Sequence, residues 1–173
     1  MSAGTSSLRI HIKKGRDSRP TLTCVRPDGS RTWSQVHAFF PIHDLTHFAV
    51  ESVFGFTEAF YGLVRSGWTL EEFSMPGAAA RLPPEALVAE HMVALLDLER
   101  ASGDLMDPAG FTEQLNRALT SQGLAPFREV TGPELAEVRR LRGEMQGRWA
   151  ALAPGETLEI GFPGAAGTAP GSR

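Results

Sequence analysis

The sequence predicts an α+β fold: a small antiparallel sheet, made of an N-terminal three-strand meander plus one C-terminal strand, packed on about five helices. Three observations carry this reading. Two N-terminal runs alternate apolar and polar residues, and a third follows them across an Asp-Gly turn. The middle of the chain instead shows apolar runs opened by Pro and closed by Gly, which is helix punctuation. One more alternating run returns near the C-terminus.

Leu8-Arg9-Ile10-His11-Ile12-Lys13 has the period-2 pattern of a half-buried strand, and Thr21-Leu22-Thr23-Cys24-Val25-Arg26 repeats it. Pro27-Asp28-Gly29-Ser30 is a hairpin turn, since Asp-Gly tolerates the positive φ such turns need, and residues 31–36 form the third strand. The polar face of this meander carries Arg9, His11, Lys13 and Arg26. Pro41 suits the first turn of a helix, where its missing N–H costs nothing, and this helix spans about 43–54. Gly55 interrupts it and 57–66 continues as a second segment, stopped by Gly67. Thr69-Leu70-Glu71-Glu72 reads as a capping box for a short turn. Residues 84–101 form a long helix; Asp107-Pro108 opens another that ends near Ser121; Thr131-Gly132-Pro133-Glu134 caps a last helix to about Leu152. Its Arg139, Arg140, Arg142 and Arg148, set among Glu134, Glu137 and Glu144, mark a solvated surface. Residues 157–162 return as the fourth strand. Residues 1–163 thus read as one globular domain and 164–173, rich in Gly, Ala, Pro, Ser and Thr, as a disordered tail.

With 173 residues and a formal charge of −3, the chain is long enough to bury a core and lacks the excess of base that marks a nucleic-acid partner. Its most apolar stretch, 37–64, holds Asp44, Glu51 and Glu58, so it is a core segment and no membrane span is expected. The first residues lack the apolar core of a secretory signal, which makes the cytoplasm the expected compartment. Oligomeric state leaves no mark. A lone cysteine, Cys24, excludes an internal disulfide and reads as a small buried hydrophobe. The charge is unevenly spread: residues 1–36 carry +5, residues 37–112 carry −8, and the remainder is balanced.

One constellation carries chemistry. In Pro41-Ile42-His43-Asp44-Leu45-Thr46-His47-Phe48-Ala49-Val50-Glu51, a rotation of about 100° per residue sets His47, Glu51 and Asp44 about 40°, 80° and 100° from His43. Apolar side chains fill nearly all the rest of the circle. The stripe is wholly His, Asp and Glu, where a solvated face would also show Lys, Arg or Gln. His43 and His47, four apart, project from successive turns of one face, as two imidazole ligands of one metal ion must. Glu51 lies about 12 Å along the axis from His43, too far to share that ion with both histidines. A workable set is His43 and His47 with a side chain from another element, or His47 and Glu51 with one; Glu58, Glu90 and His91 are the suspects by type. Asp44 and Glu51 are the candidate catalytic residues, as an extra ligand, the orienter of a histidine, or the base for a bound water. The ion would be a divalent transition metal, zinc first by ligand type.

The run His-Asp-x-x-His resembles the His-Glu-x-x-His signature of zinc-dependent peptidases, with Asp44 in the place of the general-base glutamate but one methylene shorter. The longer run, Pro-x-His-Asp-Leu-x-His-x-x-x-Glu through Phe-Gly-Phe-Thr-Glu-Ala-Phe-Tyr-Gly-Leu-Val, resembles a segment of an uncharacterised bacterial family. That resemblance implies a common site and brings no activity with it. Two functions follow. One is a metal-binding protein, a hydrolase acting on a small-molecule or peptide substrate. The other is a non-enzymatic interaction module whose stripe is solvated or ion-paired, with the basic meander as one source of partners and the helix dipole as the reason for Asp44.

Overall fold

The structure is a computed structural model and describes residues 7–16 and 18–163. The expected tail at 164–173 lies outside the described residues. Four strands, β1 (Leu8–Lys13), β2 (Thr21–Val25), β3 (Arg31–Gln35) and β4 (Thr157–Phe162), form one antiparallel sheet in the order β3-β2-β1-β4. The expected α+β architecture is therefore present, and β4 takes its place beside β1 with Leu8 opposite Phe162 and Lys13 opposite Thr157.

Between β3 and β4 run α1 (Phe40–Phe54), α2 (Phe60–Ser66), a 3-10 turn (Glu72–Ser74), α3 (Ala78–Arg81), α4 (Pro84–Ser102), α5 (Pro108–Ser121) and α6 (Gly132–Ala151). Strand alternation sends Leu8, Ile10, Ile12, Leu22, Cys24, Leu158, Ile160 and Phe162 to one face of the sheet. There they pack on Leu45 and Phe48 of α1, Tyr61 and Val64 of α2, and Met145 and Trp149 of α6. A second core lies on the far side of α1, where Ala49 and Val50 meet Met92, Val93 and Leu96 of α4, Phe111 and Leu115 of α5, and Leu135 and Val138 of α6. α1 is thus packed from both sides, which is why its apolar residues circle it almost completely. No described helix is long and apolar enough to cross a membrane.

Several expectations shift in detail. α1 begins at Phe40, so Asp44 stands beyond the first turn and the helix dipole no longer accounts for it. α2 begins only at Phe60, and α3 was not foreseen. Phe39 and Phe40, where α1 begins, are 76% and 49% exposed. On α6 only part of the arginine face is solvated. Arg140 pairs with Glu137 and Glu144 at the surface, but Arg139 forks onto buried Glu99, and the buried Arg142 donates to the carbonyl of Leu96.

The basic residues of the meander are used differently from the expectation. Lys14 donates to the carbonyl of Leu152 at 2.8 Å and faces those of Trp149 and Ala150, at the end of α6. Arg26 donates to the carbonyls of Val64 and Trp68 at the end of α2, at 2.6 and 2.7 Å. Cations there satisfy orphan carbonyls and match the negative end of the helix. Among the described residues no ion pair joins the sheet to the acidic stripe of α1.

Candidate metal centre

His43 and His47 leave α1 toward α4, and their rings meet edge to face with centroids 4.9 Å apart. The two helices run antiparallel, so His47 faces Glu90 and His43, one turn earlier, faces Asp97. His43, His47 and Glu90 each offer a ligand atom, and the three atoms lie within 4.8 Å of one another. Nε2 of His47 stands 3.3 Å from a carboxylate oxygen of Glu90, about the separation between two ligands of a tetrahedral zinc ion with bonds near 2.0–2.1 Å.

Both histidines are backed by a carboxylate. Nδ1 of His43 is hydrogen-bonded to Asp97 at 3.0 Å, which leaves Nε2 as its available ligand atom. Nδ1 of His47 lies 3.4 Å from Oε1 of Glu51, close enough for attraction but too skewed for a hydrogen bond, and neither atom has a hydrogen-bond partner among the described residues. Glu51 is itself fixed: its Oε2 accepts the backbone N–H groups of Tyr61 and Gly62 at the start of α2, at 2.9 and 3.3 Å. A short helix therefore fixes the carboxylate that stands behind the imidazole.

Burial and charge divide the group sharply. His47 and Glu51 are fully buried, whereas the side chains of His43 and Glu90 are 36% and 48% exposed. Burial opposes charge on His47, but Glu51 and Glu90 outweigh it and push its pKa up to about 10. Burial raises Glu51, partly offset by His47 and the two N–H groups. Burial would also raise Glu90, yet His47, His43 and His91 hold it below the usual carboxylate range. A proton on His47 or a divalent cation at its Nε2 would each balance the two flanking carboxylates.

Of the residues expected from sequence, His43, His47 and Glu90 come together, and Glu51 stands behind His47, 3.4 Å from its Nδ1. Glu58 lies at the surface in the turn before α2, and His91 is outside the group. Asp44 diverges. About 100° round the helix from His43, its carboxyl is buried, has no hydrogen-bond partner for Oδ2, and lines a cavity on the sheet side. Burial pushes its pKa up to about 6, opposed by His47 and His43 and reinforced by Glu90. Asp97 was missed, although its seven-residue spacing from Glu90 is a legible signal of a shared helix face. His43 also borders a surface hollow of about 370 Å³ with Phe39, Phe40, Asp97 and Arg100, so the group is reached from outside. No protein-family model, curated protein or solved structure matches the chain.

Proposed function

We propose that this chain binds one divalent transition-metal ion, zinc first by ligand type, through His43, His47 and Glu90, and uses it to hydrolyse a small-molecule or peptide substrate. The observation that carries the reading is the pair of carboxylate-backed histidines converging with Glu90 within 4.8 Å. Two imidazoles and a carboxylate are the donor set of a catalytic zinc site, which keeps a fourth position for water or substrate. The half-exposed His43 and Glu90 suit that open position, since a structural zinc site is closed by four protein ligands. The ion would bring the pKa of a bound water to about 7 and so supply hydroxide at neutral pH. Asp97, through its hydrogen bond, would fix the tautomer and angle of His43, and Glu51 would offer its negative charge behind His47.

The test is elemental analysis of the purified protein, with cobalt(II) absorption as a report on coordination. About one ion per chain is expected, with intense visible bands of a four-coordinate site, both lost in His47→Ala. Substoichiometric metal unchanged by His43→Ala and His47→Ala sinks the proposal. It then leaves the second reading, an interaction module in which a protonated His47 pairs internally with Glu51 and Glu90. The 3.4 and 3.3 Å contacts favour that reading to the extent that a proton alone satisfies them.

A further inference from the structure

Asp44 has no role in the metal group, yet burying an unpaired carboxylate is costly unless something meets it. Its residue is 5% exposed and its Oδ2 has no hydrogen-bond partner among the described residues. The carboxyl lines a cavity of about 360 Å³ between β3, the start of α1 and the 3-10 turn. Phe40, Phe60 and Phe73 line it, as do Arg19 and His37. The rings of Phe60 and Phe73 sit 4.8 Å apart, centroid to centroid. Among the described residues no cation of the chain pairs with Asp44; Arg19, which borders the same cavity, makes no ion pair with it.

We propose that this cavity is a binding site for a small organic ammonium ion, with the charged nitrogen on Asp44 and the apolar body among Phe40, Phe60 and Phe73. A buried carboxylate supplies the counter-charge, and phenyl faces attract a cation through their quadrupole while accepting hydrocarbon. A metal ion is a poor occupant, because Asp44 is the one carboxylate among the lining residues, beside the neutral Ser34, Gln35 and Ser74 and the cationic Arg19. The volume falls within the range of small-molecule sites, roughly 300–1,000 Å³. None of the three proposed metal ligands lines this cavity, so the inference stands apart from the metal reading.

Calorimetric titration of the full chain with phenethylamine tests it, with 2-phenylethanol as the neutral counterpart and a chelator present throughout. The amine is expected to bind one to one and at least about tenfold more tightly than the alcohol, a difference of about 1.4 kcal/mol. Asp44→Asn, near-isosteric, should erase that difference while leaving the alcohol within about twofold. Phe73→Leu should weaken the amine more than the alcohol. Absent saturation by the amine at millimolar concentration, equal affinity of amine and alcohol, or an amine affinity unchanged in a folded Asp44→Asn protein each overturns the proposal. If Asp44→Asn fails to fold by circular dichroism, the wild-type comparison of amine with alcohol decides alone. Because chelator is present, failure here leaves the metal reading untouched, and loss of metal leaves this one untouched.

Discussion

A fully enclosed imidazole whose Nδ1 finds no hydrogen-bond partner, as in His47, is an expensive thing to bury, and the carboxylates on either side explain why it persists. If the pair Glu51–His47 and the pair Asp97–His43 orient ligands, Glu51→Gln and Asp97→Asn should each lower zinc affinity by about 10–100-fold without removing a ligand. Competition against a chromophoric chelator measures this, and unchanged affinity in both variants would show that the carboxylates serve packing alone. Cys24 makes the opposite case, a residue whose chemistry is suppressed. It is fully buried, and burial, reinforced by Asp44 and partly offset by Arg26, pushes its thiol up to about 12. Thiol reagents at pH 8 should therefore leave the folded protein unmodified and label it promptly in denaturant. At this scale the sequence was legible where spacing is local: His43 and His47 declare their shared face four residues apart. The spacing of Asp97 from Glu90 shows a shared helix face, but its pairing with His43, 54 residues away, was not legible, because only helix packing brings the two together.

The element on which the centre depends most is the shortest one that touches it. α2 aims two N–H groups at Glu51, and it can do so because Gly62 lets its backbone pass against Thr57. A Cβ at that position would stand 2.1 Å from the carbonyl oxygen of Thr57. Gly62→Ala should therefore cost about 2–4 kcal/mol in a denaturant titration, and it should weaken zinc binding although Gly62 touches no ligand. α6 offers a cleaner measurement. Thr131 and Glu134 form a full capping box, and Arg128 pairs with Glu134. Thr131→Ala should cost about 1 kcal/mol, or about 2–4 °C in the melting temperature of a protein this size. Arg128 and the cap hold Glu134 down to about 2, so its contribution is complete above pH 4.5 and is lost as pH falls through about 2. Screening at this exposed pair keeps the contribution to about 1 kcal/mol or less. Glu134→Gln should flatten the acid limb of the stability curve by that amount. Both capping boxes were legible because their signals lie within four residues. The start of α2 was not, since the loop before it is held by Glu85, which accepts the N–H groups of Thr57 and Glu58 from the start of α4.

For the molecule as a whole, a metal bound to the native state alone must stabilise it. At 100 times its Kd, zinc should add about 2.7 kcal/mol, raising the melting temperature by about 5–10 °C, with full reversal by chelator. The shift should shrink as pH falls, because protons compete for the imidazoles. A melting curve indifferent to zinc at every pH would count against the centre. The unequal charge of the N-terminal segment and the middle of the sequence also resolves at this scale. The basic meander does not neutralise the acidic stripe; Lys14 and Arg26 brace the ends of α6 and α2 instead. The fold class was legible because alternation, Pro starts and Gly stops all agree, whereas the packing of α1 between two cores was not, since its nearly continuous apolar circumference names no particular neighbour. The pairing of β1 with β4 has a further consequence, in time rather than space. On the ribosome, β1 emerges before the whole helical layer and must wait for it before its second neighbour, β4, exists. Until then Leu8, Ile10 and Ile12 lie beside an open strand edge, the kind that invites pairing with another nascent chain. Leu158, Ile160 and Phe162 contribute about 1.5–3 kcal/mol each, and their sum is comparable with the 5–15 kcal/mol that typically holds a domain together. A chain released before residue 157 should thus aggregate or be degraded, which pulse-labelled truncations would reveal, and the sheet should close only after β4 has been made.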